Sequence, residues 1–311
     1  MTAFFQNRAY IWATVFVFAL LVLVPIQVTL PGLGGGPWVG RIVVAAFFTL
    51  NVWLVTFLRF RVQVLVAWAE LVGLFVLFFY SFHLSYIYIW ERLPLLIGTT
   101  LNRGFLIGSA LTLFICFVSI IASTILALAA ALARLSKNGI AVGVSGFYIS
   151  FFRGTPLLLQ ILLIYLGLPQ LGIILKPIPS AIIALSTCYG AYMAEIFRAG
   201  IQSIPHGQSE AARSLGLREG PIMRLVILPQ ALRLIIPPTG NQFIAMLKDS
   251  SLVSILGAWD LMYMARTHGK SDFKYMEMLI TAAVIYWALS GFFEIIQARI
   301  EHRLGKGVRV D

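Results

Sequence analysis

Eight long apolar stretches, separated by short basic loops, set the terms on which this chain can fold. They run over about residues 10–30, 42–58, 64–84, 105–133, 143–167, 178–200, 225–247 and 277–299. Each is near the roughly 20 residues a helix needs to cross the hydrocarbon of a bilayer. In lipid, at this length, only a helix satisfies its own backbone N–H and C=O groups. A β-barrel would show strands of about ten residues with strict alternation, and these stretches do not alternate. Composition points the same way: 60% of residues are hydrophobic, 11% are charged, and the mean hydropathy is +0.92. A soluble domain is about a quarter charged, so lipid is the solvent for most of this surface. The expectation is an all-α integral membrane protein with about eight transmembrane helices.

The net charge of +11 does not point to nucleic acid, which requires a clustered basic face. Here Lys and Arg sit in short groups between apolar runs, as in the positive cytoplasmic loops of membrane proteins. With the N-terminus inside, the cytoplasmic segments carry thirteen Lys and Arg and the external ones eight, while Arg153 and Arg233 fall within spans. The bias is clearest at Arg59 and Arg61 and in the C-terminal tail, so both termini are expected in the cytoplasm. The run after Arg8, from Tyr10 to Leu30, exceeds a signal-peptide core and ends in no small-residue cleavage site, so it reads as an uncleaved first span. Cys116 and Cys188 each lie inside an apolar run and read as small buried side chains, not as a disulfide framework.

The chain divides near residue 100. Residues 1–100 read as an accessory three-helix region with few polar groups at depth and a flexible external turn at 32–37. Residues 101–311 read as a five-helix working core, whose helices hold Ser, Thr, Gln, Asn, Pro and Gly within apolar runs. Such residues serve helix contacts and transport pathways.

The most informative segment is a cytoplasmic loop, residues 201–224, within which 204–217 read Ile-Pro-His-Gly-Gln-Ser-Glu-Ala-Ala-Arg-Ser-Leu-Gly-Leu. Pro205 and Gly207 are expected to break the preceding helix. Ser209 is expected to cap a new one, with Glu210 in its first turn where the helix dipole favours an anion. Ala211, Ala212 and Leu215 fall on one face, and Gly216 suits the left-handed residue that ends a helix. A helix this short is unstable alone. It is expected to dock into a groove on a partner.

Glu210-Ala211-Ala212, Gly216 and Val226-Ile227-Leu228-Pro229 together resemble the signature loop of ABC-importer permeases, with Val226 where that family usually has Ile. Three further stretches are similar to its polar amino-acid subgroup, the histidine, glutamine and arginine type. They are Phe152-Arg153-Gly154-Thr155-Pro156-Leu157, residues 190–200 (Gly-Ala-Tyr-Met-Ala-Glu-Ile-Phe-Arg-Ala-Gly) and residues 247–253 (Leu-Lys-Asp-Ser-Ser-Leu-Val). The likeness runs from about Gly104 to Ile300, and Cys188-Tyr189 replaces the polar residues expected before Gly190. It implies that the last five helices form a type-I importer permease core and that Ser209, Glu210, Ala211, Ala212, Leu215 and Gly216 couple to an ATPase.

The resemblance also implies the partners: two ABC ATPase subunits, a second permease subunit in a homo- or heterodimer, and an extracytoplasmic amino-acid-binding protein. The location implied is a bacterial cytoplasmic membrane. No cofactor is expected on this chain, since ATP and Mg would sit on the ATPase. No nucleophile–base pair, metal-ligand spacing or phosphate-binding loop is visible, so neither catalytic nor metal residues are expected.

Other residues have two readings each. Gln160, Thr187, Tyr189, Tyr192, Asn241 and Gln242 either line a substrate path or bond helix to helix. Glu195 and Arg198, three apart, form a structural ion pair or a gate. Arg153 must meet a partner or reach the interface, and Pro156 should kink its helix, for packing or as a hinge. Lys248 and Asp249, at the outer end of their span, meet a docked binding protein or pair with each other. The alternative to an ATP-driven permease is a gradient-driven secondary transporter or channel for small polar solutes. An integral-membrane enzyme would need a catalytic cluster that the sequence lacks.

Overall fold

The computed structural model describes residues 18–19, 22–23, 37–55, 60–80, 84–92, 94 and 104–304. The backbone divides into two compact units, Met1–Tyr86 and Ile87–Asp311. In the first unit, α1 (Pro37–Val55) and α2 (Phe60–Tyr80) form at the second and third expected stretches. Phe18, Val22 and Val44 pack against buried Ala45. The first expected stretch, 10–30, lies outside the described residues apart from four helical positions.

The second unit begins one residue into α3 (Tyr86–Glu91), then has α4 (Phe105–Leu135), α5 (Gly139–Gly154), α6 (Leu157–Leu162), α7 (Pro177–Gln202) and α8 (His206–Ser214). It continues with α9 (Leu228–Asp249), α10 (Leu261–Ser271) and α11 (Tyr275–Leu304). Among the described residues, four helical segments are long and apolar enough to cross a membrane: 105–135, 177–202, 219–256 and 275–304. The pair 139–154 and 157–171 would make a fifth crossing, but it is bent by 108°. Eight crossings are therefore not reached among the described residues.

α4 and α7 pack closely because small side chains line the seam. Ser119, Ser123, Ala127 and Ala131 recur every four residues on α4, all fully buried. Ala181, Ala184, Leu185 and Cys188 answer them on α7. Without water to expel, helices in lipid associate through such close contacts and interhelical hydrogen bonds. Here Ser123 Oγ donates to Ser186 O at 3.2 Å, and Ser186 Oγ to Ser119 O at 3.4 Å. Gly190 marks the tightest approach: a Cβ there would sit 2.6 Å from Tyr148 Oη. Cys116 and Cys188 are free and buried.

α7 brings the chain to one end of the bundle, where α8 lies, and α9 carries it back. α10 and the start of α11 are thus at the end opposite α8. α10 is seated by its N-cap. Asp260 Oδ2 accepts from Met262 N–H at 3.1 Å, and Leu261 N–H donates to Thr112 Oγ1 on α4 at 3.1 Å. Phe105, Leu261, Ala265, Met278 and Ala282 close the core at this end.

Candidate functional site

α8 starts one turn earlier than its sequence suggests. Pro205 is the N-cap and makes no side-chain cap bond. Its fixed φ already suits a helix entry, so the helix begins at His206. Ser209 therefore lies inside the helix, its Oγ donating back to His206 O at 2.7 Å. This overturns its expected capping role and moves Glu210 out of the first turn.

The expected single apolar face also divides. Ala212, 4% exposed, turns inward to a cluster containing Phe197, Ile222, Ile227 and Ala231. Ala211 is exposed, and Leu215 is 82% exposed at the helix end. The helix closes as expected at Gly216, whose φ is +81°. Gly216 N–H donates to Arg213 O at 2.8 Å and Leu217 N–H to Ala212 O at 3.2 Å. That pair of bonds is a Schellman motif, in which glycine takes the left-handed position without steric cost. Arg213 pairs with Glu219 at 2.7 Å, and Gln230 on α9 reaches Gln208 at 3.3 Å. α8 is thus pinned to the bundle by one small residue and a few polar contacts, with its remaining surface free for a partner.

Pro156 does more than kink its helix. The chain leaves the α-helix at Thr155, and Pro156 caps the next. Gln160, 3% exposed, spends its amide nitrogen on the break, donating to Phe152 O at 2.9 Å and to Thr155 O at 3.0 Å. Its nitrogen is thereby a structural group, while Oε1 has no hydrogen-bond partner. Arg153 stands over the Tyr192 ring at 5.5 Å. α6 then passes into a π-helical turn, Leu163–Gly167, and another, Ile222–Ile227, precedes α9. π turns recur at functional sites.

In the core, Tyr189 Oη donates to Asp249 Oδ2 at 2.7 Å, joining α7 to α9. Asp249, which is itself exposed, thus pairs with Tyr189 rather than with Lys248. Thr187 Oγ1 bonds within its own helix, to Ile183 O at 2.9 Å, and its carbonyl accepts from Tyr148 Oη at 2.7 Å. Asn241 is exposed on α9 and Gln242 half-buried. Glu195 and Arg198 form the ion pair, at 2.7 Å, and Arg198 also reaches Gln202 at 2.6 Å.

Sequence reading passed over Pro237 and Pro238 inside α9. They lack the N–H that a helix interior uses, and Gln297 on α11 donates to Pro237 O at 3.2 Å. It also passed over a cavity of about 570 Å³, lined by Lys248, Tyr286, Ser290 and Glu294 among others. Tyr286, Ser290 and Glu294 recur every four residues on α11, which was the available signal.

A helical bundle of this kind, with a broken span, serines buried between its helices and a lightly tethered helix at one end, suits a transporter's membrane subunit. Residues 123–306 match the family described as "binding-protein-dependent transport system inner membrane component", and the chain belongs to that family. It is a multi-pass membrane component of a transport system. Among its relatives is the arginine transport system permease protein ArtQ of Bacillus subtilis, 40% identical over 198 residues that span 63% of this chain and 90% of that one. The glutamine transport system permease protein GlnP of Escherichia coli is 34% identical over 218 residues, 70% of this chain and 95% of that one. A crystal structure described as an amino acid ABC transporter with histidines matches with TM-score 0.64 at 37% identity, over 71% of this chain and 99% of its own. The inward-facing MetNI methionine ABC transporter shares the fold, with TM-score 0.56 at 21% identity, over 64% of this chain and 96% of its own. A gradient-driven transporter or channel is not favoured beside these relatives.

Proposed function

We propose that the chain is the amino-acid-translocating permease subunit of an ATP-driven importer in the bacterial cytoplasmic membrane. The observation that carries this reading is α8, a nine-residue helix held by one buried alanine, with Ala211 and Leu215 facing outward. A helix so short persists by docking, and an ATPase cleft is the dock that the family calls for. Two ABC ATPase subunits engage it and its counterpart on a second permease subunit, identical or paralogous. ATP and Mg stay on those subunits; this chain binds no cofactor and hydrolyses nothing. The α8 end and both termini are cytoplasmic, and a substrate-binding protein delivers at the opposite end. Residues 1–100 serve as an accessory region.

ATPase closure pulls α8 and rocks the bundle between inward- and outward-facing states, a bistable element biased by its partner. The break at Thr155–Pro156 and the prolines of α9 supply the bending points, and Arg153, Glu195 and Arg198 lie near the inner end to gate it. Tyr189, Asp249, Tyr192, Thr187, Asn241 and Gln242 contribute to the path. Relatives named for arginine and glutamine support an amino acid as cargo.

A pull-down from mild detergent tests the reading. An ABC ATPase is expected to co-purify with the wild-type chain and to be lost when Glu210, Ala211 and Leu215 are replaced together by Lys. A chain that purifies without any ATPase would overturn it.

A further inference from the structure

α10 ends as α8 does, in a Schellman motif. Lys274 N–H donates to Gly269 O at 2.9 Å and Phe273 N–H to Lys270 O at 3.5 Å. The left-handed position is filled here by Phe273, with φ +56° and the side chain 91% exposed. It is the one non-glycine residue with positive φ among the described residues. Glycine is the usual occupant of that position, and a bulky residue there is a genuine outlier. Two costs therefore meet at one residue, a strained backbone and an exposed ring. Strain of this kind persists where its surroundings over-determine it, and it collects at functional sites.

The surroundings do hold it. Asp272, the residue before, accepts from Arg92 Nη2 at 2.6 Å and from Tyr88 Oη, which ties the turn to α3. Lys274, the residue after, pairs with buried Glu277 at 3.5 Å. With those acids answered, α10 carries exposed Arg266 and Lys270, seven and three residues before Phe273. An exposed aromatic in a backbone turn held on both sides, on an element that carries exposed basic residues, has the make-up of an interface anchor. Lipid anchoring would need no such strain, because the extended segment just before α10 already exposes Trp259 at the same end.

We propose that Phe273 is the anchor by which the outer end of the permease docks its substrate-binding protein, entering an apolar pocket rimmed by acidic side chains on that protein. This rests on the importer reading above, which places the binding protein at the end opposite α8.

The test uses the complete transporter in lipid nanodiscs, with its amino-acid-loaded binding protein titrated against ATPase activity. Phe273→Gly suits the backbone better than Phe, so the variant folds at least as well as the wild type. The binding-protein concentration for half-maximal stimulation is expected to rise roughly tenfold, with the rate at saturation kept and Phe273→Tyr close to wild type. Raised salt should weaken docking in the wild type too. An unchanged half-maximal concentration in Phe273→Gly overturns the proposal. A dye on Phe273→Cys separates the lipid alternative. Emission that shifts on adding binding protein supports docking; emission already shifted in nanodiscs and indifferent to binding protein assigns the ring to the membrane. If no amino-acid-binding protein stimulates the wild type, the importer reading fails first and this proposal with it.

Discussion

The two ends of the core finish a helix in the same way with opposite residues. At the α8 end Gly216 takes the left-handed turn, and at the opposite end Phe273 takes it after α10. Both turns close with the same pair of backbone bonds. At Gly216 the backbone is relaxed, and the neighbouring Leu215 and Ala211 supply the outward-facing surface. At Phe273 the residue in the turn is itself the surface. The lesson is that hydrogen-bond geometry alone does not report function; the mismatch between a conformation and its occupant does.

The largest effect is expected at the turn after α8. Gly216→Asp has open space for its Cβ, so the damage comes from the strained φ and from a carboxylate at the negative end of α8. Membrane insertion should be normal and binding-protein-stimulated ATP hydrolysis lost. Normal uptake by this variant would remove the role assigned to α8.

The next effect lies at the start of α10. Asp260 is 1% exposed with Oδ1 unpartnered, and burial pushes its carboxyl from 3.8 up to about 7. The folded state therefore holds the proton more tightly than the unfolded state. Stability is greatest at and below about pH 4 and falls as pH rises toward about 7. At one unit per 1.36 kcal/mol the cost at pH 8 has an upper bound of about 4 kcal/mol. Asp260→Asn keeps a capping oxygen and removes the charge. Its thermal midpoint should exceed the wild type's at pH 8 and match it only below about pH 4. Equal midpoints at both pH values would show that the carboxylate is solvated.

A smaller change separates seating from docking at α8. Ala212→Leu adds three carbons to a closed cluster, at a cost of about 1–3 kcal/mol. Thermal stability and ATPase stimulation should fall together, whereas Leu215→Ala should lower stimulation alone. The smallest effect bears most directly on the two turns. Gly216→Ala should destabilise and Phe273→Gly stabilise, each by roughly 1 kcal/mol, since an L-residue in the left-handed region costs about that much. The same sign for both would mean that the turns are not equivalent.

Much of this was legible in the sequence because it is local. The left-handed Gly216, the ion pair of Glu195 with Arg198 and the disruption at Pro156 each follow from residues within a turn of one another, and four of the five expected core spans follow from continuous apolar runs. The misses have physical causes. Ser209 looked like a cap because nothing in its own neighbourhood shows that Pro205 had already started the helix. Pro156 was expected to kink its span, but Gln160 supplies a donor for the freed carbonyls and so permits a complete break. The bond between Tyr189 and Asp249 joins residues 60 apart, beyond the reach of any periodicity. Phe273 was invisible because no glycine marks its turn. The division near residue 100 rested on composition, while the backbone divides after Tyr86.

The central claim is that ATP hydrolysis on partner subunits drives this chain through α8. The most direct test is amino-acid uptake into proteoliposomes holding the chain, its ATPase and its binding protein, with and without ATP. The account predicts uptake that requires ATP and loaded binding protein, ignores an imposed ion gradient, and vanishes in Gly216→Asp. Uptake by the chain alone, down an ion gradient and without ATP, would contradict it.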